Sequence, residues 1–219
     1  MLKSELTIID LLPHIDNLDT GLLDQVVAKH ACGLHVLLRP ERPELAETIL
    51  PQHLAKLLTV TPRLYDYTVI DTDVSYEDRP LTILDHADLI LLVITPNLGV
   101  VRNAKRFLEL ALALGYPRER MFFLINRANS HVGFGPEDVQ RVLGPGRYLR
   151  LDSQGRLLTA NLNLGQPTVL AHPRSEFTRT IQGIAETIRL NGESRGPAPR
   201  SVPRTLRGRF GRPSLLGGR

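Results

Sequence analysis

Apolar positions along this chain come in two alternating patterns. Short runs with little polar interruption occur at Leu34-His35-Val36-Leu37-Leu38, Tyr65-Asp66-Tyr67-Thr68-Val69-Ile70-Asp71, residues 88–94, Met121-Phe122-Phe123-Leu124-Ile125-Asn126 and residues 148–151. Runs of this length without polar alternation predict strands covered on both faces. Between them, apolar residues recur three or four apart, which predicts helices over residues 6–12, 21–31 (stopped by Gly33), 43–58, 81–86, 100–114 (ended by Gly115), 136–143, 156–164 (ended by Gly165) and 175–192. In the last of these, Ser175 takes the N-cap and Phe177, Ile181, Ile184 and Ile188 share one face. No internal repeat is present.

Alternation of buried strand and helix predicts an α/β fold, a mostly parallel sheet with helices on both faces. In such sheets ligands sit at the carboxyl ends of the strands. Asp71, with Thr72 and Asp73 in the turn that follows, therefore occupies a position where chemistry is expected. A strand-end carboxylate of this kind forms the second half of a nucleotide-phosphate and magnesium site, the first half being a glycine-rich loop ending in Gly-Lys-Ser/Thr. The chain has four lysines, Lys3, Lys29, Lys56 and Lys105, each preceded by Leu or Ala, so it contains no Gly-Lys pair.

Composition adds bounds to this picture. Of 219 residues, 42% are hydrophobic, enough for a substantial core, while no apolar run approaches the roughly 20 residues that span a bilayer. Cys32 stands alone, so no intrachain disulfide forms, and a reducing cytoplasmic setting is expected. The formal charge of +4 is unevenly distributed. From residue 193 onward, Arg195, Arg200, Arg204, Arg207, Arg209, Arg212 and Arg219 face a single acid, a net +6 that leaves −2 for the remainder. Residues 192–219, rich in Gly, Pro, Ser and Arg, read as a disordered basic tail after an α/β domain over residues 1–191.

Six segments in order carry a resemblance: Tyr65-Asp-Tyr-Thr-Val-Ile-Asp-Thr72; Leu84-Asp-His-Ala-Asp88 leading into Leu89-Ile-Leu-Leu-Val-Ile-Thr-Pro96; Arg102-Asn-Ala-Lys-Arg-Phe-Leu108; Gly115-Tyr-Pro-Arg118; Leu124-Ile-Asn-Arg127; and Asn163-Leu-Gly-Gln-Pro167. Together, over residues 6–188, they fall in an order that resembles MinD/ParA-type ATPases, and most closely the CpaE/TadZ branch associated with assembly and polar placement of Flp-type (Tad) pili. The resemblance implies a P-loop NTPase fold, N-terminally incomplete, with ATP and magnesium as the family's cofactors. It implies that Asp71 holds magnesium through water when a phosphate loop is supplied, that Asn126 reads the adenine edge, and that Arg127 follows it in the base site. Implied partners are pilus and secretion-machinery components, and a homodimer or a missing N-terminal half. The implied location is cytoplasmic, peripheral at the inner face of the membrane.

Departures from the family pattern bear on activity. Where relatives have Asp-Thr-Pro-Pro this chain has Asp71-Thr72-Asp73-Val74, and where an Ile-Pro flanks the base it has Arg150-Leu151. In relatives a strand, the phosphate loop, a helix and a second strand precede the segment matching Leu6. The expectation is a chain that binds no cofactor and hydrolyses no ATP by itself, either an assembly component or a fragment of an ATPase whose loop lies upstream or on another chain. The sheet is expected to lack two strands, leaving residues 65–71 without neighbours.

Plainer readings stand beside these. Asp71-Thr72-Asp73 also suits an acidic turn capping the next helix, and Asn126 a strand-end turn. The histidines show no metal-ligand spacing. Residues 69–75 also resemble the nucleophile turn of haloacid-dehalogenase-type phosphatases, but the third strand runs into Arg127-Ala128-Asn129-Ser130 without the late acidic pair such enzymes need. Through its tail the chain also suits a non-enzymatic scaffold on anionic membrane or nucleic acid.

Overall fold

The computed structural model describes residues 6–73, 75, 77–130 and 133–193, and the chain divides into two compact units between Ala87 and Asp88. The seven tail arginines lie outside the described residues.

In the N-terminal unit, Thr7 caps a 3₁₀ helix, Ile8–Asn17. Its hydroxyl accepts from the Ile9 N–H at 3.3 Å while the Asp10 carboxylate takes the Thr7 N–H at 2.7 Å. Helix α1 (Thr20–Val26) is capped by Asp19, whose carboxylate accepts from the Leu22 N–H at 2.8 Å. The helix expected over 21–31 stops at Val26 because Val27 is extended and Ala28–Lys29 (β1) pairs antiparallel with His35–Val36 (β2). The strand expected over 34–38 is thus the return arm of a small hairpin, turned by Gly33 at φ 90°. The helical pattern of 43–58 divides into α2 (Pro43–Ala46) and α3 (Pro51–Val60), since Pro51 has no N–H to continue a helix. α3 packs on α4 (Asp78–His86). Leu11, Leu23, Val26, Leu57 and Val60 form the core.

Residues 65–71 depart furthest from expectation. The Tyr65 hydroxyl lies 3.0 Å from His35 Nδ1, with the rings edge to face. Beyond it, residues 66–73 form no strand and their backbone N–H groups make no hydrogen bond among the described residues. Tyr67 is 58% exposed, Val69 94% and Ile70 39%. Strand composition becomes a strand only with a ladder to join.

The C-terminal unit follows the sequence pattern closely. Its elements are β3 (Ile90–Ile94), α5 (Leu98–Ala113), β4 (Met121–Asn126), α6 (Pro136–Leu143), β5 (Arg147–Leu151), α7 (Gly155–Asn163), the short α8 (Thr168–Ala171) and α9 (Glu176–Glu193). The strands form a parallel sheet in the order β3-β4-β5. β4 is central, and its residues Met121 to Ile125 are all buried. Alternation along the strands sends Leu91, Leu124, Leu149 and Leu151 to one face, where they meet Phe177, Ile181, Ile184 and Ile188 of α9. Ser175 caps α9 as expected, its hydroxyl accepting from the Thr178 N–H at 3.2 Å. On the other face Phe123 stacks on Tyr148 at 5.0 Å under the Arg118 guanidinium. Asn97 caps α5 through the Gly99 N–H at 2.9 Å, and Gly115 ends it at φ 89°.

Candidate functional site

Parallel register decides which residues meet at the carboxyl edge of the sheet. Ile94, Ile125 and Arg150 are level across β3, β4 and β5, and Asn126 is level with Leu151. One more hydrogen bond, from the Ala128 N–H to the Leu151 carbonyl at 3.0 Å, carries the β4–β5 ladder past the strand end. The two loops are then joined by the Ser153 N–H donating to Asn129 Oδ1 at 2.8 Å.

Asn126 is half-buried, on the sheet face it shares with Leu124 and Leu151. Its Oδ1 accepts from the Arg127 N–H at 2.9 Å, which holds the side chain close to its own backbone. This is the geometry of a turn-forming asparagine, and its amide hydrogens meet no acceptor among the described residues. Arg127 is exposed and, at φ 54°, is the one non-glycine residue in the left-handed region among the described residues. That conformation costs about 1–2 kcal/mol. It is held by the Ser130 N–H and hydroxyl, which both donate to the Arg127 carbonyl.

Arg150 points to the opposite face, one step out of phase with Leu151, and pairs with Glu137 at the start of α6 (2.9 Å). Glu137 accepts from its own backbone N–H and from Arg150, and these hydrogen bonds hold its carboxyl below the usual carboxylate range. A cleft of about 400 Å³ opens here, with Ser130, Phe134, Gly135, Glu137 and Arg150 in its wall. A second, of about 270 Å³, lies between Arg150, Leu151 and Asp152 on one side and Phe177 and Thr180 of α9 on the other. Arg150 lines both. The sequence reading singles out Asn126 and Arg127 and misses the Glu137–Arg150 pair and Phe134. The signal for them is the Gly133-Phe134-Gly135-Pro136 punctuation between a strand end and a helix start.

Asp71 belongs to the N-terminal unit and is exposed, as is Asp73. No three Asp, Glu, His or Cys side chains gather to hold a metal among the described residues. Magnesium is ordinarily held by one or two carboxylates completed by waters and substrate phosphates. Exposed carboxylates such as Asp71 and Asp73 meet that need only beside a phosphate already held in place, and the chain has no Gly-Lys pair for holding one. The residues present do not make a magnesium–nucleotide site by themselves. No helix among the described residues is long and apolar enough to cross a membrane.

No protein-family model and no curated protein sequence matches the chain. Solved structures do. A ParA family ATPase from Chlorobium tepidum TLS superposes with a TM-score of 0.77 at 25% identity, covering 84% of this chain and 77% of that one. The septum site-determining protein MinD from Pyrococcus horikoshii OT3, complexed with Mg-ADP, gives 0.69 at 17% identity over 85% and 74%. A chain of the MinC:MinD cell division protein complex of Aquifex aeolicus gives 0.63 at 18% identity over 83% and 72%. The parallel sheet, its helices on both faces and these superpositions together make the fold of this chain that of the MinD/ParA-like P-loop NTPases.

Proposed function

We propose that this chain is a MinD/ParA-type protein that as it stands does not hydrolyse ATP, an assembly or localisation component of the CpaE/TadZ kind in pilus biogenesis, the alternative being a fragment of an ATPase whose phosphate loop lies upstream or on another chain. The observation that carries the reading is the combination of this fold with a sequence lacking any Gly-Lys pair. Phosphoryl transfer rests almost wholly on positioning and on electrostatic clamping of the phosphates. Asp71 and Asp73 supply the wrong charge for that clamp, and the lysines that supply the right one are missing from the chain as it stands. The pilus assignment is supported by the order of the six sequence segments around Asp71, Asn126 and Arg127. In this reading Asn126 and Arg127 are the remnant of a base site, Asp71 holds magnesium through water only where a phosphate loop is supplied, and the partners are pilus or secretion-machinery components at the inner face of the membrane.

Steady-state phosphate release by the purified chain tests the reading. No magnesium-dependent release above the no-protein control is expected. Turnover that disappears in Asp71→Ala would overturn it.

A second reading is favoured by charge: seven arginines against one acid from residue 193 onward suit a polyanion or an anionic membrane. If about six charges are neutralised on double-stranded DNA, affinity falls by roughly three decades between about 50 and 200 mM salt. Truncation after Gly192 is expected to abolish binding to DNA and to anionic liposomes. Equal retention of full-length and truncated protein on both would leave the tail without this role.

A further inference from the structure

We propose that the α7–α8 face of this chain docks on an anionic lipid surface, its exposed leucines entering the interfacial layer and its arginines meeting the headgroups.

Local geometry builds the face. Gly165, at φ 63°, ends α7, and its N–H donates to the Leu162 carbonyl at 2.9 Å. The Gln166 N–H donates to the Asn161 carbonyl at 2.9 Å, and the buried Asn161 side chain donates to the Leu157 carbonyl at 2.8 Å, which fixes the turn between α7 and α8, two helices in contact. Beyond α8, the His172 carbonyl accepts from the Ser175 hydroxyl at 2.9 Å and from the Thr178 hydroxyl at 2.7 Å, so the turn carrying Arg174 is fastened to the start of α9. On this fastened backbone Leu162 is 78% exposed, Leu164 69% and Leu170 49%. Leucines exposed singly are ordinary on protein surfaces, whereas three between residues 162 and 170 form a patch.

Charge decides what covers it. Residues 153–175 contain no Asp or Glu, and Arg156, His172 and Arg174 within that stretch are exposed. Neither arginine makes an ion pair or a hydrogen bond among the described residues, whereas Arg141, Arg150 and Arg189 of the same unit each pair with a carboxylate. Along α7 the exposed positions 155, 156, 159, 160, 162 and 163 fall on one side at helical spacing, so Arg156 and Leu162 share it. Exposed leucine beside unneutralised arginine is the composition of segments that lie in the interface of anionic membranes. A partner helix would instead need a groove to seat its own side chains. Here the leucines project from the chain, and neither cleft described above has them in its wall. The face is separate from the basic residues after 193, so the inference goes beyond both readings above, and its failure would leave each of them standing.

The chain has no tryptophan, so Leu164→Trp, at a side chain 69% exposed and outside the core, gives the full chain a single reporter. With vesicles of phosphatidylcholine and phosphatidylserine its emission is expected to shift to shorter wavelength, and brominated acyl chains are expected to quench it. Phosphatidylcholine vesicles alone should do neither. Leu112→Trp, at an exposed position on α5, should stay unshifted with both. In vesicle co-sedimentation, Leu162→Ser combined with Leu170→Ser is expected to lower binding about tenfold or more, as is Arg156→Gln combined with Arg174→Gln. No shift of Leu164→Trp with phosphatidylserine vesicles would overturn the proposal, and co-sedimentation without that shift would put the contact elsewhere, the tail included. So would equal shifts of Leu164→Trp and Leu112→Trp, binding indifferent to the leucine pair, or a shift produced by soluble polyglutamate and not by vesicles, which would make the occupant an acidic polypeptide.

Discussion

Gly146 shows how closely single residues set the sheet in the C-terminal unit. A Cβ at this position would come within 2.8 Å of Phe123 Cε2, and that ring is fixed between Tyr148 and Arg118. Gly146→Ala is therefore expected to cost about 1–3 kcal/mol, the usual penalty for overpacking, read as a lower denaturation midpoint with an unchanged slope. Phe123→Ala, at a side chain with no exposure, should cost about 3–5 kcal/mol in the same assay. At the cleft, Glu137 is stabilised in its charged form by its own N–H and by Arg150, so its contribution is present above the ordinary carboxylate pKa and is lost as pH falls through the depressed value. Arg150→Ala should move the Glu137 titration upward, toward the ordinary value, as followed by carboxyl NMR shifts; an unmoved titration would mean the pair is not formed in solution. The strand-end position of Asn126 is legible in the sequence because a polar residue ends an apolar run. The Glu137–Arg150 pair is not, because its partners are thirteen residues apart on different elements and meet only through the β4–β5 register.

Elements were legible where local pattern and final environment agree. Met121–Asn126 and Pro136–Leu143 form as the periodicity predicts, and α9 presents the expected face of Phe177, Ile181, Ile184 and Ile188. Each buries that face against a neighbour close in sequence or in the same sheet. Residues 65–71 fail for the opposite reason: their composition is that of a strand, but strand formation depends on a neighbour that the periodicity cannot reveal. The two-residue strand Ala28–Lys29 and the four-residue α8 escape prediction because so short a stretch has no measurable period. Two changes test the element-scale account. Ile184→Ala, which removes the buried contact of α9, should cost about 2–5 kcal/mol. Asn97→Ala, which removes the α5 cap, should cost about 0.5–2 kcal/mol. A loss of similar size from a comparable change at Val69 would contradict the exposure of that segment.

At the scale of the whole molecule, fold and chemistry point in different directions. The architecture is that of the MinD/ParA-like NTPases, and one structural neighbour is MinD complexed with Mg-ADP. Yet this chain brings two exposed carboxylates, Asp71 and Asp73, and no Gly-Lys pair, where a magnesium–phosphate site would need a cradle of backbone N–H groups and lysine. The fold class was legible from strand and helix alternation. The division into two units was not, because the break after Ala87 falls inside a continuous helix-to-strand pattern. The most direct test of a MinD/ParA-like fold without a phosphate site is calorimetric titration of the full chain with ATP, with and without magnesium. A dissociation constant of about 1 mM or weaker, worth no more than about 4 kcal/mol, and indifferent to magnesium and to Asp71→Ala, is the predicted result. Binding that tightens tenfold or more with magnesium, and loses that gain in Asp71→Ala, would contradict it.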